Sequence, residues 1–252
     1  MSRQIYVETV VDTTMDAIWA VTQDPAQHQR WDLRFGSIRY LPRVADEPQR
    51  FRYALRIAPW RIVAGTGVSA GERRRPDGMC TSALRFASPD PLSLIRRGAG
   101  WWRYIPDGDK IRFSTGFDYE PGWSWLGAPV DRMVFRRLVG WLTACSFDRL
   151  RLWLEHGVSP ERSGALLVVD AAARTSALVV AGRLAAGGGG RGRIVAGAVL
   201  GLAAVTLPSV RGVPRASRCR RRPLPGRNVG PPSVADRLTS APDAAGDEQA
   251  RR

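Results

Sequence analysis

The chain has 252 residues, 44% of them apolar, three cysteines and a formal net charge of +15. That length allows one domain of ordinary size plus an appendage, and three scattered cysteines exclude a disulfide framework or a zinc site. The charge is uneven: residues 171–235 hold eleven Arg and no acid, residues 236–252 sum to −1, and residues 1–170 keep only +5.

Taken in chain order, the first segment is an alternating strand over Gln4–Val11, with no secretory pattern before it, so a reducing cytoplasm is expected. Asp12 or Thr13 is placed to cap a helix over Met15–Thr22, and Asp24-Pro25 starts a second short helix ending near Arg30. Six further strands are predicted at Ser37–Leu41, Arg50–Ile57, Arg61–Ser69, Gly78–Phe86, Gly100–Ile105 and Lys110–Tyr119. Their separators carry turn chemistry, as in Arg75-Pro76-Asp77-Gly78 and Pro106-Asp107-Gly108-Asp109. One long helix follows, opening on Pro129 and closing on Gly157, with an apolar stripe of Val130, Val134, Leu138, Trp141, Leu142, Cys145, Leu152 and Trp153. The class is α+β: an antiparallel seven-stranded sheet and a long C-terminal helix.

Beyond Gly157 two apolar segments, Ser163–Gly182 and Ile194–Val210, flank Gly187–Gly190, and Asp170 and Arg174 are spaced to pair on one helix face. Arg211, Arg215, Arg218, Arg220, Arg221 and Arg222 come next, before a Pro, Gly, Asp and Ala-rich end that reads as disordered. The expected organisation is a domain at 1–163, an apolar helical hairpin at 164–210 and an Arg/Pro-rich tail at 211–252. Three readings of the appendage stay open: a hairpin embedded in the membrane, an amphipathic cap held on anionic lipid by those arginines, or a weakly ordered tail. Insertion is favoured, with the Arg-rich end kept on the cytoplasmic side.

Candidate chemistry is sparse. His28 and His156 are the only possible histidine bases, and His156, in the helix exit, suits a dipole partner. Gly65-Thr66-Gly67 lacks the third glycine and strand-to-helix context of a phosphate loop, so bending of a sheet explains it. Arg218–Arg222 lacks interleaved aromatics, and specific nucleic-acid binding is not expected. Cys80 and Cys145 read as small buried hydrophobes. No cofactor or metal is called for.

Local text adds a resemblance. DPAQHQRWDLRF (Asp24–Phe35), SLIRRGAGWWRYIP (Ser93–Pro106), FSTGFDYE (Phe113–Glu120) and DRMVFRRLVGWLTACSFDRLRLWLEHG (Asp131–Gly157) resemble the START-like, or SRPBCC, superfamily, in particular its bacterial polyketide cyclase/dehydrase-like group. Cys145 departs from the aromatic residue of that group's pattern. The resemblance implies a helix-grip fold with a cavity under the long helix, and the many aromatics, including Trp123 and Trp125, suit an apolar ligand there. Trp101 and Trp102 must face opposite sides of their strand. Candidate cavity residues are Trp31 at the mouth, Tyr53 and Trp102 on the sheet, Asp118 as the internal polar group, and Trp141 with Cys145 on the helix. For Asp118 by itself, a strand-end ion pair with an arginine is favoured over a cavity acid. The resemblance thus implies binding of a hydrophobic small molecule or lipid. The alternative is a cofactor-free cyclase or dehydratase moving protons with Asp118, Tyr53 or Arg103 in the same cavity.

Overall fold

The computed structural model describes residues 4–43, 47–58, 60–93, 95–122, 130–187, 190–225 and 230–232. Strands β1 (Ile5–Val11), β2 (Ser37–Tyr40), β3 (Arg50–Ala58), β4 (Arg61–Arg74), β5 (Cys80–Ala87), β6 (Ile95–Asp107) and β7 (Lys110–Pro121) form one sheet in the order β1-β7-β6-β5-β4-β3-β2. Every neighbouring pair is antiparallel. Helices α1 (Met15–Gln23) and α2 (Pro25–Trp31) lie between β1 and β2 in the chain, and α3 (Arg136–His156) follows β7. This is the expected helix-grip architecture.

The differences from the sequence reading have local causes. β4 continues past Ser69 because a bulge between Ser69 and Gly71, where Gly71 adopts φ +89°, breaks the two-residue period without ending the pairing. The cap of α1 is Thr14, whose hydroxyl accepts from the Ala17 N–H at 3.2 Å, not Asp12 or Thr13. Asp24 caps α2 as expected, accepting from Ala26 at 2.9 Å. A π-helical turn at Asp131–Phe135 leads into α3, and Gly157 ends it at φ 63°; Pro129 lies outside the described residues. The apolar stripe expected on the long helix holds at Cys145 and Leu152, which are buried, and is corrected at Val134, Leu138 and Trp141, which are exposed; Val139, Thr143, Ala144, Ser146, Phe147 and Leu150 are buried instead. Small residues form much of the buried face, and a methyl group on Gly140 would meet the Ile5 side chain of β1 at 3.5 Å, an ordinary contact distance.

The main core joins this face to the sheet. Tyr104 and Phe113 stack at 4.8 Å, Phe113 and Phe147 at 4.5 Å, and Trp31 meets Phe147 edge-on at 6.2 Å. Val7, Val11, Ile18 and Leu150 close around them. Cys80, Cys145 and Cys219 are free and buried. Burial pushes the Cys145 thiol up to about 11 and the Cys219 thiol up to about 12, so both remain protonated, as packing residues.

The chain divides into two compact units, residues 1–157 with 215–252, and Val158–Pro214. The expected tail boundary at 211 is therefore revised. The Arg215 N–H donates to Asp148 at 2.7 Å, Arg220 exchanges both backbone bonds with Glu8 on the free edge of β1, and the Cys219 thiol donates to the Ala144 carbonyl at 3.3 Å. These anchors are backbone groups and small side chains, which leave no pattern among arginines.

The second unit pairs α4 (Pro160–Ala186) with α5 (Arg191–Thr206). Ser159 caps α4 and Pro160 occupies its first turn, so the helix starts earlier than Ser163. The two helices approach closely at Gly197, where a Cβ would stand 2.8 Å from the Ala181 carbonyl oxygen. Arg174 donates to Asp170 at 2.8 Å, to the Ala204 and Leu207 carbonyls at 2.6 and 2.8 Å, and to Ser209 at 3.1 Å, satisfying the C-terminal end of α5. Val168, Val169, Leu178, Val179, Val195, Val199, Leu202 and Val205 are exposed. Among the described residues, α4 is the one helix long and apolar enough to cross a membrane.

Candidate functional site

Paired residues on neighbouring strands share a face, so the register places Trp102, Ser82 and Thr115 on one side, together with Phe86, Gly67, Phe51, Gly65 and Tyr53. This is the side that α3 covers, since Trp102 belongs to the core cluster containing Ala144 and Phe147. Its β2–β5 half is an aromatic floor. Phe35 meets Tyr53 at 5.6 Å, and Tyr53 meets Phe51 and Phe86 at 6.4 Å each. The rings lie flat over glycines: the space of a Cβ at Gly65 is taken by the Tyr53 ring, and at Gly67 by the Phe51 ring. These glycines thus make room for aromatic rings, a more specific reason than sheet bending. Gly65→Ala should lower stability by about 1–3 kcal/mol through overpacking, seen as a reduced urea midpoint.

Between floor and core sits a polar cluster supplied by the α2–β2 connection. The Asp32 carboxylate is 0% exposed at its side chain and takes two guanidinium bonds from Arg34, at 2.9 and 2.7 Å. It also accepts from His28 Nε2 at 3.0 Å, four residues earlier on α2, and the Ser146 hydroxyl on α3, which donates to the Leu142 carbonyl at 2.9 Å, lies 3.4 Å from it. Ser146 in turn accepts from the Leu33 N–H at 2.9 Å, fixing this segment to the long helix. Burial pushes the Asp32 carboxyl up, but the Arg34 charge and the bonds from Arg34 and His28 outweigh it and hold the group well below the usual carboxylate range. The His28 ring stacks on Trp31 at 5.0 Å and meets Trp102 and Phe35 edge-on at 4.8 and 5.4 Å. The Arg34 guanidinium lies 5.6 Å from the Phe35 ring centre and 5.3 Å from that of Phe117. An ionised acid, two N–H donors and a belt of rings therefore meet where helix, sheet and α2 converge.

Of the residues singled out from sequence, the structure brings Trp31, Trp102 and Cys145 into one core and Tyr53 into the floor. Trp31 is fully buried, its indole N–H donating to the Val21 carbonyl at 3.0 Å, so it does not stand at a mouth. The Tyr53 hydroxyl donates to the Ala87 carbonyl at 3.3 Å, and burial pushes its acidity far out of the range of proton transfer. Trp141 is 40% exposed and does not face the sheet. Arg103 is on the opposite face from Trp102, stacked 4.6 Å over Trp101 and donating to the Gly230 carbonyl, so it does not share a face with Tyr53 and Trp102. Asp118 pairs with Arg136 at 2.9 Å, the strand-end alternative, in a network where Arg136 also holds Asp131 and Asp131 accepts from Tyr119. Trp123 and Trp125 lie outside the described residues. His28, Asp32, Arg34 and Ser146 were missed. The available signal was His28 and Asp32 at i,i+4 within Asp24–Phe35, ending on a cation beside Phe35.

No family model matches the chain. The YndG protein of Bacillus subtilis (strain 168), described as an uncharacterized membrane protein, is 42% identical over 161 residues, 64% of this chain and 60% of its own. The chain thus spans about 60% of the length of that curated relative. Among solved structures, a STAR-related lipid transfer protein from Xanthomonas axonopodis is 22% identical, with 61% of this chain and 86% of that one covered and a TM-score of 0.46. An aromatase/cyclase from Streptomyces sp. R1128 is 16% identical, with 60% and 97% covered and a TM-score of 0.37. A human lipid transfer and protein localization domain is 12% identical, with 62% and 78% covered and a TM-score of 0.43.

Proposed function

We propose that this chain, with its START-like helix-grip fold, binds a hydrophobic small molecule or lipid between the sheet and the long helix, and that the Val158–Pro214 unit attaches it to a membrane. The observation that supports binding most strongly is the aromatic floor of Phe35, Phe51, Tyr53 and Phe86 next to the His28–Asp32–Arg34 cluster. Apolar burial on the rings would supply affinity, and the few polar groups would orient the ligand. Exposure of valines and leucines along both α4 and α5 supports the attachment.

Catalysis is the second reading, a cofactor-free cyclase or dehydratase on a polyketide-like substrate. The residues expected to carry it are dispersed, with Arg103 on the other face and Asp118 in an ion pair. One observation favours it: His28, held by an ionised Asp32 among rings, is an oriented imidazole.

Binding is tested with N-phenyl-1-naphthylamine, an uncharged apolar fluorophore, added to the full chain in zwitterionic vesicles, with energy transfer from tryptophan as the readout. A saturable signal is expected. Leu84→Trp, which fills space beside the floor, should weaken it about tenfold, equivalent to about 1.4 kcal/mol. Absence of any saturable transfer would remove the ligand-binding reading.

A further inference from the structure

We propose that the ligand is an anionic amphiphile whose charged end group, a carboxylate, sulfonate or phosphate, docks on Arg34 Nη1 while its apolar body lies along the aromatic floor. The inference rests on the binding reading above and adds the ligand's chemical class. Arg34 directs Nε and Nη2 at Asp32, so both oxygens of that acid are engaged and the guanidinium is locked in one plane. Its Nη1 group has no hydrogen bond among the described residues, and 17% of the side chain stays open. The Asp32 carboxylate also accepts from His28 Nε2, so its charge is not spent on Arg34 alone. A fixed guanidinium that keeps one pair of N–H groups for a further acceptor is an anion receptor that loses little freedom on binding.

Its surroundings select the rest of the ligand. Phe35 and Phe117 flank the guanidinium, and Phe35 leads edge-on to Tyr53, which leads to Phe51 and Phe86. Charge and rings form one continuous path from Arg34 to β3 and β5. A small inorganic ion would use only its first step, and an uncharged hydrocarbon only the remainder. Rings also exclude water from the ion pair and strengthen it.

The test uses two probes with one skeleton: 8-anilinonaphthalene-1-sulfonate, and N-phenyl-1-naphthylamine, which lacks only the sulfonate. Both are added to the full chain in zwitterionic vesicles, and energy transfer from tryptophan is corrected for protein-free vesicles. Arg34→Gln should weaken the sulfonate probe about tenfold or more and leave the neutral probe within about threefold, because a charge-assisted contact is lost and the floor is kept. Arg34→Lys should retain most of the sulfonate affinity, and millimolar inorganic phosphate should not displace the probe. Unchanged sulfonate binding in Arg34→Gln, with the neutral probe still bound, overturns the anionic end group and leaves the apolar binding reading standing. Displacement by phosphate overturns the amphiphile class. If Arg34→Gln does not fold, raised salt decides on the wild-type chain: sulfonate affinity that salt leaves unchanged overturns the proposal. Failure of both probes on the wild-type chain removes the underlying binding reading instead.

Discussion

Asp32→Ala should cost about 3–5 kcal/mol of unfolding free energy, the size expected when one partner of a buried ion cluster is removed and the other is stranded. The side chain is fully enclosed and holds Arg34 and His28, so its loss leaves a guanidinium without a counter-charge beside Phe35 and Phe117. The measurement is the urea midpoint and slope of the full chain in nonionic detergent, followed by tryptophan fluorescence. Asp32→Ala combined with Arg34→Ala should recover part of the loss, because the stranded charge is then gone. The sign with pH follows from the depressed carboxyl. The contribution of Asp32 is complete above the ordinary value of 3.8 and is lost as pH falls through the lower folded value. Unfolding free energy should therefore decline below about pH 4 in the wild type, and Asp32→Asn should flatten that part of the slope. A loss under about 1 kcal/mol in Asp32→Ala would show that the cluster contributes only orientation.

The sheet was legible because its signals are local. Period-two alternation and Pro/Gly turns identify seven strands, and the bulge at Ser69–Gly71 hides only where β4 ends. Long-range selection was not legible in the same way. Which face of α3 turns inward depends on what lies opposite, and the buried face holds Gly140, Thr143, Ala144 and Ser146 rather than Leu138 and Trp141. A ranking by apolarity picks the tryptophan; packing picks the alanine. The cluster around Asp32 escaped for a related reason. His28, Asp32 and Arg34 are ordinary polar residues in a short helix and its exit until Ser146, more than a hundred positions later, closes the fourth side. Asp118 shows the converse: read as either a cavity acid or an ion-pair partner, it is settled by Arg136, a residue that no short-range pattern links to it. The arginines from 215 to 222 show a third case: Arg218, Arg220, Arg221 and Arg222 are exposed, as their charge suggests, while the backbone of Arg220 pairs with Glu8 at the sheet edge.

The full chain should sediment with membranes and remain there through high-salt and alkaline carbonate washes, because burial of apolar surface is not screened by ions. Helix α4 has 27 residues and spans about 40 Å, more than the ~30 Å hydrocarbon core; α5 has 16 and spans about 24 Å. The shortfall of α5 is small enough for Arg191 and Arg193, at its first turn, to extend their side chains towards the headgroups. Arg174, the charge that would oppose insertion, donates to Asp170, Ser209 and two carbonyls at the end of α5, which lowers the cost of taking it out of water. Replacing Val195, Val199 and Leu202 together by Glu should move most of the protein to the supernatant, since all three side chains are exposed along α5. Replacing Arg218, Arg220, Arg221 and Arg222 by Gln should leave the sedimented fraction nearly unchanged. Release of the wild type by salt, reproduced by those arginine replacements, would show instead an attachment to anionic lipid through charge. Recovery of untreated protein wholly in the soluble fraction would defeat both forms of attachment, and the exposed valines and leucines of α4 and α5 would then require a protein partner to cover them.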